Sequence, residues 1–136
     1  MEVITTARLI EASIPISSDK EEKPYLIFDN LGLSTGIKDA SQKGTIHLHI
    51  NGLTDIDYFN KATVGSTYTI MFTDKPVDVT GMFIATTLKK SKLVESNPFS
   101  LIEVLEGEKF KFDISTSLKQ LLFPLNERIC VYIYKN

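Results

Sequence analysis

Two histidines are the side chains best placed by type and spacing to do chemistry. His47 and His49 are the chain's only imidazoles. They sit in Thr45-Ile46-His47-Leu48-His49-Ile50, which switches between polar and apolar at every step. On a strand, residues two apart project from one face, about 6.5–7 Å apart along the backbone. Two imidazoles so placed would chelate one metal, with Asp55 or Asp57 completing a two-histidine, one-carboxylate set. The simpler alternative places both on the solvent face of a half-buried strand, with no metal and no other cofactor.

The remaining reactive groups form no catalytic set. Cys130 is the single cysteine, so no intramolecular disulfide exists, and neither histidine is near it in sequence to act as a base. It reads as a small core or sheet-face residue. No Gly-x-Ser-x-Gly elbow occurs. Gly32-Leu33-Ser34-Thr35-Gly36 lacks the lysine and following helix of a phosphate loop. Glu103, Glu106 and Glu108 surround one hairpin and read as solubilising. The basic run Lys89-Lys90-Ser91-Lys92 reads as a solvated turn. Joined by exposed aromatics such as Tyr58, Phe59 or Tyr68, it would make a single-strand nucleic-acid binder of OB type. Against that stand a net charge of -2 and only two arginines, Arg8 and Arg128. Nucleic acid is therefore not favoured as a partner.

The His-x-His spacing, with Gly44 and Asp55, resembles that of the cupins, small β-barrels that often bind a metal. That resemblance implies a metal-dependent enzyme using His47 and His49. The chain departs from the pattern, having neither a glutamate shortly after the second histidine nor a third histidine.

The elements that must position these residues are strands. Ser66 to Thr73 alternates with Tyr68, Ile70 and Phe72 on one side, and Lys109 to Ile114 with Phe110, Phe112 and Ile114. Further strands are expected over Val3 to Ile16, Tyr25 to Phe28, Gly81 to Leu88, Phe99 to Leu105 and Glu127 to Tyr134. Short pieces are expected at Val77 to Val79 and Leu93-Val94. Asp29-Asn30-Leu31-Gly32, Asn51-Gly52 and Glu106-Gly107-Glu108 carry turn chemistry, the last closing a hairpin. One short helix is predicted near 115–123, where Leu118, Leu121 and Leu122 share a face and Pro124 follows. In the last strand Ile129, Val131 and Ile133 point inward, which puts Tyr132 and Tyr134 on the outer face.

These spacings predict an all-β fold: a single domain over 1–136, an antiparallel, jelly-roll-like β-sandwich of about eight strands. No internal repeat is visible. The sequence shows no signal peptide at Met1 to Arg8 and no apolar run near the ~20 residues of a membrane span. The expected protein is cytoplasmic or, if viral, part of the virion. A non-enzymatic structural protein is the leading expectation: a capsid vertex (penton-type) or tail subunit of a phage or virus. It would act through contacts with its own copies or other virion proteins, with Tyr132, Tyr134, Tyr58 and Phe59 as candidate interface residues.

Overall fold

The computed structural model describes residues 2–13, 24–33, 44–51, 61–78, 80–97, 100–117 and 123–136. Among these residues there are eight strands: β1 (Glu2–Ser13), β2 (Tyr25–Leu33), β3 (Thr45–Ile50), β4 (Thr67–Thr73), β5 (Ile84–Asn97), β6 (Ser100–Glu106), β7 (Phe110–Ser117) and β8 (Arg128–Lys135). Every neighbouring pair is antiparallel. The strands close into a barrel in the order β1-β2-β3-β7-β6-β5-β8-β4.

The fold is all-β as expected, but it is a closed barrel and not a sandwich. Nor does it roll up as a jelly roll. Rolling one long hairpin would pair the first and last strands, whereas β1 lies between β2 and β4, and β8 between β4 and β5. Alternation specifies which face of a strand is buried and is the same for either architecture. Closure depends on β3 meeting β7 and β4 meeting β8, far apart in sequence.

The predicted helix is absent among the described residues. Ser115 and Thr116 extend β7, paired with Thr45 and Ile102 and with Leu101, and Phe123 is not helical. The leucines that suggested the helix lie at 118–122, outside the described residues. The basic run is not a turn. Lys89 to Lys92 continues one strand of 14 residues, β5, which also takes in Leu93-Val94. The turn expected at Asp29 to Gly32 is instead part of β2, which bulges against β1 between Thr6 and Arg8. Asn51 ends β3 without a hairpin. Its amide donates to Lys109 O at 2.7 Å and its side chain to Gly107 O at 3.0 Å. Gly107 sits at a close approach, where a Cβ would lie 2.8 Å from Leu88 Cδ2 and 3.3 Å from Thr87 O, so that a larger residue needs the Leu88 side chain to shift.

The strand order contains two interlocked Greek keys, 4-1-2-3 and 8-5-6-7. Exchanging β1 with β5, β2 with β6, β3 with β7 and β4 with β8 leaves the ring unchanged, so the two halves are related by a pseudo-two-fold. The correspondence holds at the level of single bonds. Leu9 precedes a bulge at Ile10, and Lys90 precedes one at Ser91. Leu9 N donates to Ser66 O at 3.0 Å and Gly65 N to Leu9 O at 2.8 Å; Lys90 N donates to Glu127 O at 3.2 Å and Asn126 N to Lys90 O at 3.1 Å. The turns that receive these bonds close alike, Ser66 N on Thr63 O and Glu127 N on Pro124 O. Both turns need a left-handed residue, and glycine or asparagine supplies it: Gly65 at φ 93°, Asn126 at φ 68°. Where Thr63 N donates to the Tyr68 hydroxyl in the first half, the second has Pro124, with no N–H, facing the position of Ile129.

The barrel interior is a packed core. Val3, Leu9, Leu26, Phe28, Ile46, Leu48, Tyr68, Ile70, Phe72, Phe112, Ile114 and Phe123 are among its buried members. Ile129, Val131 and Ile133 point inward as expected. Eight strands leave just enough room for such a filling. The outer wall carries polar and charged side chains at mid-strand (the imidazoles of His47 and His49, and the charges of Lys111, Asp113 and Lys89), the reverse of the apolar band on a lipid-facing barrel. No described helix is long and apolar enough to cross a membrane.

Candidate functional site

His47 and His49 both face outward from β3, half-buried, with ring centroids 6.2 Å apart. The closed ladder brings β7 beside them. Asp113 stands opposite His47 and Lys111 opposite His49. On the other side Tyr25 of β2 pairs with His49, ring centroids 6.4 Å apart. His49 Nε2 lies 3.4 Å from Asp113 Oδ2, and Lys111 Nζ lies 3.6 Å from Oδ1. Burial pushes the His49 imidazole below its ordinary pKa, against the opposing pull of Asp113, and His47 and Lys111 push it down further. His49 is therefore neutral at pH 7. A shallow depression of about 290 Å³ adjoins the pair, lined by Thr45, His47, Val94, Ile102, Asp113 and Ser115.

Among the described residues, no group of three His, Cys, Asp or Glu side chains is placed to hold a metal ion. Both Asp113 oxygens already have cationic or imidazole neighbours. Asp55 and Asp57, the carboxylates that the spacing nominated, lie outside the described residues, as do Tyr58 and Phe59.

Tyr132 and Tyr134 face outward as their register with Met71 and Thr69 requires. They differ in what covers them. Tyr132 is only 7% exposed, and its hydroxyl accepts the Val77 amide at 2.9 Å from the segment after β4. Tyr134 is half-buried, and its hydroxyl is buried with no hydrogen-bond partner among the described residues. Burial and the neighbouring Tyr132 raise its phenol pKa. Cys130 is buried and free, its Sγ 3.8 Å from Thr87 Oγ1. Tyr132→Phe is expected to lower stability by about 0.5–1.5 kcal/mol, because it strands the Val77 N–H. Thermal melts read this, and an unchanged Tm would refute the assignment of that bond.

The charged residues that were expected at the surface form a buried ion pair. Glu103 is 0% exposed and Lys90 3%. Lys90 Nζ lies 3.3 Å from Glu103 Oε1 and donates to Phe123 O at 2.5 Å, while Phe123 N donates to the same Glu103 oxygen at 3.1 Å. Glu103 Oε2 has no hydrogen-bond partner among the described residues. Burial pushes the Glu103 carboxyl up to about 7, outweighing the opposing effects of Lys90 and of the Phe123 amide. Glu103 is thus not a solubilising surface residue. Its signal in the sequence was position: it shares the inward parity of Leu101 and Leu105 within Leu101-Ile102-Glu103-Val104-Leu105. By the pseudo-two-fold, Lys90 and Glu103 occupy the positions of Leu9 and Leu26, both fully buried.

Together these features define an all-β, double Greek-key barrel domain with a filled interior. Compared with family models and with curated proteins, the sequence matches none.

Proposed function

We propose that this chain is a non-enzymatic assembly subunit, a virion component of a phage or virus, of vertex or tail type, that works through contacts between subunits. The observation that carries the reading is the placement of exposed apolar side chains. The interior of the barrel is occupied by its own side chains, so ligand carriage within it draws no support. Ile10 and Val64 project at one end and Leu93 and Leu125 at the other, with Val77 and Val94 exposed on the wall between, each more than two-fifths exposed. Apolar groups gathered at the ends of a rigid, edgeless barrel suit subunit packing.

The other readings draw less support. A nucleic-acid module built on Lys89, Lys90 and Lys92 loses Lys90 to the interior. A metal-dependent enzyme built on His47 and His49 has Asp113 engaged with His49 and Lys111. Sedimentation velocity of the purified chain from micromolar to millimolar concentration is expected to show concentration-dependent oligomers. A monomer throughout that range counts against self-assembly.

A further inference from the structure

We propose that copies of this chain join head to tail along the barrel axis, the Ile10–Val64 end of one copy seating on the Lys92–Leu125 end of the next. The inference rests on the reading of the chain as an assembly subunit, and it names the surface and the partner.

The argument begins with the pseudo-two-fold. β1 is antiparallel to β4, β4 to β8 and β8 to β5, so β1 and β5 run in opposite directions. Corresponding residues therefore lie at opposite ends of the barrel. At one end the turn before β4 lifts Val64 into solvent at 56% exposure, against the bulged Ile10 at 44%. At the other end the corresponding turn lifts Leu125 to 55%, and Leu93 beyond the Ser91 bulge is 46% exposed. Leu125, Leu93, Pro124 and the stem of Lys92 line a groove of about 600 Å³ floored by Phe123 and Lys90. One end offers a knob and the other a groove.

The charges beside the two bulges favour unlike ends, although each end also carries the opposite sign, Lys61 and Lys135 near Val64 and Glu127 near Leu125. The residue after each bulge is Glu11 in β1 and Lys92 in β5, both exposed. Apposing two like ends would set Glu11 against Glu11 or Lys92 against Lys92. Apposing unlike ends sets Glu11 beside Lys92 while Val64 and Ile10 enter the apolar groove. Such a contact is heterologous: each joined pair keeps one free knob and one free groove, so it grows into a ring or an open stack.

The test blocks one end at a time. Val64→Asp retains its groove and Leu125→Asp retains its knob. Both side chains are more than half exposed, and circular dichroism confirms that each variant folds. By sedimentation velocity, each variant alone is expected to be monomeric, an equimolar mixture to form a dimer and nothing larger, and the wild type to form higher species. Glu11→Lys is expected to weaken wild-type association at least tenfold. If the wild type assembles and the blocked variants assemble as well as it does, the contact is wrong and the assembly reading stands. A mixture that remains monomeric also overturns the contact. If the wild type is monomeric up to millimolar concentration, both fall.

Discussion

Lys90→Leu alone is expected to destabilise the barrel by about 3–5 kcal/mol at neutral pH or above, because Glu103 is then buried without its counter-charge and must either stay ionised unpaired or take up a proton on folding. The side chain it replaces lies 3.3 Å from Glu103 and also holds the Phe123 carbonyl. Lys90→Leu combined with Glu103→Leu is expected to recover most of that loss. The double variant copies the arrangement that the first half already uses, where Leu9 and Leu26 fill the corresponding positions with no exposure. Replacing a buried pair with well-packed apolar groups is commonly neutral or better. Here it falls short of wild type by about 1–2 kcal/mol, since the Phe123 N–H and C=O lose their partners. Urea unfolding of the two variants, Glu103→Leu and the wild type completes a double-mutant cycle. A double variant no more stable than Lys90→Leu would show that the pair does something the leucines cannot replace.

The same carboxyl makes stability depend on pH near neutrality. Glu103 is raised from 4.5 in the unfolded chain to about 7 in the barrel, so the folded state binds its proton more tightly. The contribution is fully present below pH 4.5 and is lost as pH rises through about 7. Across that window the wild type is expected to lose roughly 3 kcal/mol relative to Glu103→Gln, which cannot titrate. Among the described residues, Lys90 is the charged group acting on Glu103; its other immediate partners are the Phe123 backbone and, in the ladders, Leu93 and Ile114. Lys90→Met should therefore move the transition to still higher pH. Unfolding free energies of wild type and Glu103→Gln at half-unit steps from pH 5 to 8.5 measure the difference. Parallel curves would mean that Glu103 remains ionised throughout.

These two effects share a cause that bears on assembly. The ion pair grips both backbone groups of Phe123, the residue that leads into the turn carrying Leu125. The corresponding turn of the first half is anchored by the same backbone bonds with no ion pair beneath it. The buried Glu103 carboxyl thus lies beneath the grooved end of the barrel.

Period-two alternation was enough to place β3, β4, β7 and β8 and to choose their inward residues, because a half-buried strand must alternate whatever it pairs with. It was also enough to put Tyr132 and Tyr134 on the outer wall and His47 beside His49. Local composition misled where charge or leucine spacing coincided with another element. Lys89 to Lys92 looked like a turn, yet an inward lysine and a bulge at Ser91 keep it in β5. Ser115 and Thr116 looked like a helix cap, yet they complete ladders to β3 and β6.

The repeat was hidden for a related reason. The pseudo-two-fold preserves backbone bonds and burial but not side-chain identity, setting Leu9 against Lys90, Leu26 against Glu103 and Gly65 against Asn126. The residue order alone determined an all-β chain, the inward face of its regular strands and the absence of a Gly-x-Ser-x-Gly elbow and of a phosphate loop, since each follows from neighbours a few positions apart. Only the tertiary structure decided that the sheet closes, that Lys90 and Glu103 meet inside it, and that Asp113 stands beside the histidines. Those outcomes depend on which distant strands become neighbours, and nothing in a single strand's pattern encodes its partner.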